Sequence, residues 1–143
     1  MRVNSKKITE LLVAHNRKLN RLLNVINEDF AEIGSLKKHL KFHEKAEDLL
    51  LFDDLRRKKF LKNELHELFD RRLAVDALIW DMENYKIQGS IRSEKLRLLK
   101  ESVNACIKYE EKNIFPKIEN YLSVEKLTES GNLFVELKKK ELI

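Results

Sequence analysis

The stretch Cys106-Ile-Lys-Tyr-Glu110-Glu111-Lys-Asn-Ile-Phe115-Pro116 repeats the pattern of an earlier one, His43-Glu-Lys-Ala-Glu47-Asp48-Leu-Leu-Leu-Phe52. Each begins with a residue that can bind a metal, places a glutamate four positions later and follows it with a second acid. On a helix, residues four positions apart lie on the same face. Each stretch therefore directs an imidazole or a thiol and a carboxylate to one point. Two such helices can surround a pair of metal ions with two bridging carboxylates.

The composition indicates a helical protein. Only 3 Gly and 1 Pro occur among 143 residues that are rich in Leu, Lys and Glu. The length fits a single domain, residues 1–143, that is large enough to bury a core. The net charge of +5 is spread through sequence of mixed sign rather than gathered in a basic arm. This distribution argues against nucleic acid as a partner.

We expect neither a membrane anchor nor a secretion signal. No apolar run is long enough to cross a membrane, and no hydrophobic segment follows the N-terminal Met-Arg-Val-Asn-Ser-Lys-Lys. The single Cys excludes an internal disulfide, so a reducing, cytoplasmic setting is expected.

Apolar residues recur in steps of three and four along four segments, as they do on the inward faces of bundle helices. Asn4 or Ser5 is the predicted cap of helix 1, and Asp29 with Glu32 forms a predicted capping box for helix 2. We predict an all-α fold: an up-down-up-down antiparallel four-helix bundle at about residues 5–122, with a C-terminal helical extension at about 123–143. Ser123 is the predicted cap of that extension.

The C-terminal extension is expected to be broken or bent at Gly131 and to cover one end of the bundle. We predict that a turn near residues 56–59 precedes helix 3. Its predicted inward face comprises Leu65, His66, Phe69, Leu73, Ala77 and Trp80.

Polar residues replace apolar ones at several inward positions of the four helices. A buried carboxylate without a partner costs several kcal/mol or stays protonated, and a cation is the simplest compensation. In an antiparallel bundle, residues at one level are equidistant from the intervening turn. The midpoint between His15 and His43 is Asp29, and that between the His43–Glu47 pair and His66 falls at residues 55–56. By this reasoning six polar residues meet at one height: His15, His43, Glu47, His66, Cys106 and Glu110.

These residues resemble the hemerythrin-like, or HHE cation-binding, family over about residues 8–122. The family has a lone His on helix 1, His-x-x-x-Glu on helix 2, His on helix 3 and His-x-x-x-Glu on helix 4. The corresponding residues are His15, His43 with Glu47, His66, and Cys106 with Glu110, where Cys106 departs from the family's histidine. The resemblance implies two non-haem iron ions bridged by the two glutamates, with manganese or a mixed site as the alternative. It also implies a small exogenous ligand: oxygen, peroxide or nitric oxide.

Several alternatives stay open at this point. Cys106 is either a thiolate ligand or a buried packing residue, and His39 and Asp70 are either spare ligands or ordinary helix-surface residues. Binding or sensing of the small ligand is preferred to an oxidase or peroxide-reducing activity, and no catalytic residue is assigned. The alternative function is a degenerate, metal-free or mononuclear bundle that acts as an interaction module.

Overall fold

The computed structural model describes residues 6–84 and 89–143, and within these ranges the chain forms five helices and no strand. The all-α prediction is therefore confirmed, whereas the predicted cap at Asn4 or Ser5 lies outside the described residues. No helix in these two ranges is long and apolar enough to span a membrane. The helices are α1 (Ile8–Asn24), α2 (33–57), α3 (Lys62–Asn84), α4 (90–121) and α5 (Val124–Lys140).

Two of the helices contain a π-helical turn. In α2 the turn Asp48–Phe52 separates the α-helical segments Ile33–Glu47 and Asp53–Arg57. In α4 the turn Glu110–Ile114 separates Ser90–Tyr109 from Phe115–Tyr121. In the two repeated stretches of sequence these turns are offset from one another by only one residue.

The helices enclose two groups of buried apolar residues. Helix α1 packs against α2, α4 and α5, and α3 packs against α2 and α4. One group contains Leu12 and Phe52, and the other contains Leu19 and Leu36. Since His15 lies between Leu12 and Leu19 on α1, the polar residues of the interior are sandwiched between the two apolar groups.

The inward face of α3 differs from the predicted one. Leu73 and Trp80 are 64% and 53% exposed. The turn before α3 occupies residues 58–61, which overlaps the predicted 56–59 but is later than the midpoint expected at 55–56. Lys59 and Leu61 have positive φ angles of 57° and 58° in that turn, so the chain reverses there without a glycine. The buried residues of α3 again follow steps of three and four: Leu65, Leu68, Arg72, Val75, Ile79 and Met82.

The predicted helix caps have different outcomes. The Oγ atom of Ser123 accepts a hydrogen bond of 3.1 Å from the Lys126 backbone N–H, which confirms the cap of α5. The capping-box prediction is wrong, because α2 begins at Ile33 and Asp29 instead accepts a bond from the Ala31 N–H.

Gly131 does not break α5, contrary to expectation. The helix continues through it, packing along α1 and burying Leu127 and Phe134. A Cβ atom at position 131 would lie 2.2 Å from the carbonyl oxygen of Lys6. Glycine is therefore required for the close approach of two backbone segments rather than for a bend.

Candidate metal centre

Three buried side chains with metal-binding atoms meet between α2 and α4. One ligand atom from each of His43, Glu47 and Glu110 lies within 4.8 Å of the other two. The Nε2 atom of His43 is 3.3 Å from Oε2 of Glu47 and 3.1 Å from Oε1 of Glu110. The four-residue spacing predicted for His43 and Glu47 thus brings both side chains to one point, and α4 contributes the second carboxylate.

Both glutamates lie at a π-helical turn. Glu47 directly precedes the turn Asp48–Phe52, and Glu110 begins the turn Glu110–Ile114. A π-helical turn accommodates one extra residue per turn, changes which face the following residues occupy, and is frequent at functional sites. The phenylalanines that follow, Phe52 and Phe115, are both buried beside this region.

One oxygen of Glu47 has no hydrogen-bond partner. Its Oε1 accepts a bond of 2.7 Å from Arg72, whereas Oε2 is buried and unsatisfied. An unsatisfied buried acceptor is costly, and such atoms are rare in proteins. A metal ion at this point would coordinate that oxygen together with Nε2 of His43 and Oε1 of Glu110. One imidazole and two carboxylates suit iron or manganese, so the donor set fits the ions implied by the resemblance.

His15 lies behind His43 rather than beside the carboxylates. Its Nδ1 atom is 2.8 Å from Nδ1 of His43, and the two rings stack with their centroids 5.1 Å apart. Because Nε2 of His43 faces the two glutamates, this contact holds the opposite side of the ring and fixes its orientation. His39 continues the row, with its Nδ1 3.4 Å from Nε2 of His15.

The electrostatics of the cluster separate the pKa values of its members. Burial opposes the charged form of His43, but Glu47 and Glu110 outweigh this effect and raise its pKa to about 10. Burial and the charge of His43 lower the pKa of His15 to about 3. Burial also opposes ionisation of Glu47, but His43 and Arg72 outweigh this effect and lower its pKa. For Glu110, burial and the neighbouring Glu47 carboxylate raise the pKa. In the metal-free protein, His43 is therefore the histidine of this row that holds a second ring proton and a positive charge.

Arg72 is the residue of α3 that reaches the cluster. Besides its bond to Glu47, it donates a bond of 3.2 Å to Asp48, and its side chain is only 9% exposed. Sequence reasoning missed it, although Arg72 lies four residues after Leu68 and three before Val75. That spacing was the available signal, because it places the side chain on the inward face of α3.

Asn16 is a second residue that sequence reasoning missed. It is buried next to His15, and its Nδ2 donates to Oε1 of Glu110 at 3.3 Å and to Oε2 of Glu111 at 2.9 Å. Glu111 is also paired with Arg17 at 2.9 Å on the surface. Asn16 thus positions Glu110, and nothing in the apolar pattern of α1 predicted this contact.

A cavity of about 30 Å³ adjoins the cluster. This volume is enough for one or two water-sized molecules. Cys106 lines the cavity beside Glu110 and Arg72, but it is not one of the three grouped ligands. Burial and the Glu110 carboxylate raise the pKa of the Cys106 thiol to about 12, so it is a neutral thiol facing the cavity at neutral pH.

His66 is not brought to the cluster. Its side chain is 79% exposed and its Nε2 lies 3.7 Å from Oδ2 of Asp70, which is also exposed. The prediction counted His66 on the same face as the apolar residues of helix 3, and a midpoint at residues 55–56 placed it level with the His43–Glu47 pair. With the turn at residues 58–61, the position level with Glu47 is Arg72, since their midpoint lies between residues 59 and 60. Of the six predicted residues, three form the cluster, His15 supports it, Cys106 lines its cavity and His66 faces solvent.

Comparison with known proteins adds no relative to this description. No protein-family model matches the chain, and neither a curated protein nor a solved structure shows significant similarity to it.

Proposed function

We propose that this protein is a hemerythrin-like metal-binding protein in which α1–α4 form an up-down-up-down bundle around a non-haem iron centre. The packing of α1 with α2, α2 with α3, α3 with α4 and α4 with α1 supports this arrangement. The resemblance of the sequence motifs points to the same architecture. Manganese is the alternative metal, because it accepts the same ligand types.

The observation that carries the proposal is the grouping of His43, Glu47 and Glu110, in which the buried Oε2 of Glu47 makes no hydrogen bond and lies 3.3 Å from Nε2 of His43. A folded protein gains little from two buried carboxylates facing one imidazole unless a cation joins them. His15 and Asn16 hold the first and the last of these three side chains from behind. Such supporting contacts are typical of metal-binding histidines and carboxylates.

The proposed activity is binding of a small molecule at the metal: oxygen, peroxide or nitric oxide. Iron supplies the redox chemistry for such ligands when it is bound. The cavity of about 30 Å³ next to the cluster has room for a diatomic molecule but not for an organic substrate. Its apolar lining includes Leu19, Leu68 and Val103, which would exclude bulk water from the bound ligand.

Metal analysis tests the proposal directly. Protein from iron-supplemented cells, and metal-free protein reloaded with Fe²⁺ without oxygen, should each retain iron after desalting and should unfold at a higher temperature than the metal-free form. His43→Gln should retain none, whereas Gln in place of the exposed His66 should behave as the wild type. The proposal is contradicted if wild-type protein retains no iron or manganese and unfolds at the same temperature with and without added metal.

One observation favours a second candidate, a metal-free bundle that serves as an interaction module. Arg72 and His43 already face Glu47 with positive charge, and burial raises the pKa of Glu110 so that its neutral form is favoured. A cluster balanced in this way can persist without a metal ion. The same measurement separates the candidates, because a metal-free module gains no thermal stability from added iron.

A further inference from the structure

The guanidinium of Arg72 occupies a position inside the candidate metal centre. It is 2.7 Å from Oε1 of Glu47 and 3.2 Å from Oδ1 of Asp48. Its flat face packs over the rings of Phe69 and Phe52, at 5.2 Å and 5.5 Å from their centroids. The side chain is held by two acids and two aromatic rings, so its charge is fixed in place.

This contact places a fixed positive charge beside one of the two oxygens of Glu47. A carboxylate that bridges two metal ions binds one ion through each oxygen. In Glu47, Oε1 accepts the hydrogen bond of Arg72, whereas Oε2 makes no hydrogen bond and lies 3.3 Å from Nε2 of His43. A second ion bound through Oε1 would lie beside the Arg72 guanidinium, so Glu47 is placed to bind a single ion through Oε2, on the side of His43.

Helix α3 offers no ligand for a second ion. The buried residues on either side of Arg72, Leu68 and Val75, are apolar, and His66 faces solvent. Where a second ion would need donors from α3, the helix supplies a positive charge instead. Like charges at short range in a poorly solvated site repel strongly, so a divalent ion next to the guanidinium is disfavoured.

We infer that Arg72 takes the place of a second metal ion and limits this centre to one ion, bound by His43, Glu47 and Glu110. The inference rests on the proposed metal-binding function and deepens it. Arg72 acts through Glu47, as a residue that sets the number of metal ions rather than as a ligand. The expected centre is therefore mononuclear, in contrast to the two-iron site that the sequence motifs implied.

Metal stoichiometry tests the inference, with ferrous iron loaded without oxygen and Mn²⁺ loaded in parallel as a magnetic probe. The wild type should hold about one equivalent and give the spectrum of an isolated Mn²⁺ ion. Arg72→His removes the fixed charge, frees Oε1 of Glu47 and adds an imidazole, so it should hold about two equivalents with coupled spins. Arg71→His is the matched control, because Arg71 pairs with Glu67 and packs over the Tyr109 ring without a bond to Glu47, and it should hold one.

The outcomes distinguish this inference from the function on which it rests. A wild type that binds no metal contradicts the proposed function itself. A wild type that binds two ions overturns the inference alone, and this result does not depend on whether any variant folds. A folded Arg72→His protein that still holds one ion also overturns it. Arg72→Lys, which keeps the charge, should remain at one equivalent, and two ions in this variant would contradict the argument from charge.

Discussion

Arg72 donates a hydrogen bond of 2.7 Å to Glu47 from the helix on which a histidine ligand was expected. Both side chains are buried, with 9% and 1% of their surfaces exposed. This pair links α3 to the centre of the molecule through charge rather than through a metal bond. We expect it to stabilise the metal-free protein and to keep a second metal ion away from Oε1 of Glu47.

Removal of Arg72 should destabilise the metal-free protein. Arg72→Met leaves Glu47 buried with less compensation, and loss of one member of a buried ion pair costs about 3 to 5 kcal/mol. The double variant Arg72→Met with Glu47→Gln removes both charges and should recover more than half of that loss. Urea unfolding in the presence of a chelator measures both values. Equal stability of the single and double variants would show that the pair is not coupled.

Glu110 and its neighbour Glu111 should differ sharply in their effect on metal binding. Glu110→Gln removes a negative ligand of the cluster and should lower the affinity for Fe²⁺ or Mn²⁺ at least tenfold. Glu111→Gln keeps an oxygen that can accept from Asn16 and should change the affinity less than about threefold. Titration with each metal under identical buffer conditions provides the comparison. Similar losses in both variants would place the site elsewhere.

His15 should matter for metal affinity although it is not a ligand. Its contact of 2.8 Å with Nδ1 of His43 orients that ring, and loss of such supporting contacts typically weakens metal binding about 10- to 100-fold. His15→Gln should fall in this range without changing the number of ions bound. His66→Ala should match the wild type in both affinity and unfolding temperature. A large effect of His66→Ala would contradict the placement of its side chain in solvent.

The thiol of Cys106 should react slowly in the folded, metal-free protein. Burial and the nearby Glu110 raise its pKa to about 12, so the reactive thiolate stays scarce until the pH approaches that value. At pH 8, alkylation by iodoacetamide should be at least about a hundredfold slower than in urea-unfolded protein. The rate should rise steadily as the pH increases from 8 to 10. Since the chain has one Cys, mass spectrometry reports this residue alone, and fast alkylation at pH 8 would contradict the raised pKa.

Two glycines should respond in opposite ways to substitution by alanine. Gly131→Ala places a methyl group 2.2 Å from the carbonyl oxygen of Lys6, and relief of such a clash by backbone movement costs about 1 to 3 kcal/mol. Gly34→Ala meets no atom within 4 Å and should stabilise the protein by up to about 1 kcal/mol through helix propensity. Thermal unfolding of the two variants checks both signs. A stable Gly131→Ala protein would mean that the backbone of Lys6 and Ile8 does not pack tightly on α5.

Much of the centre could be anticipated because it depends on local spacing. His43 and Glu47 lie four residues apart on one helix, and any continuous helix brings them together whatever surrounds it. The repeated pattern at Glu110 predicted the second carboxylate in the same way. The inward positions of α1 were likewise clear from steps of three and four, including His15 among apolar neighbours.

The sequence by itself determined the helical class, the inward placement of His43, Glu47 and Glu110, and the cap at Ser123, because each depends on residues within a few positions of one another. The tertiary structure decided which face of α3 is buried. If the turn before α3 shifts by one residue, the α3 residue that lies at the height of Glu47 changes by two residues. No Gly or Pro in the sequence marks this turn at residues 58–61. The contact between His15 and His43, and the burial of a Glu47 oxygen without a hydrogen bond, also appear only when segments distant in sequence pack together. Whether the interior presents a histidine or an arginine to Glu47 is therefore set by how the helices pack, not by the motif.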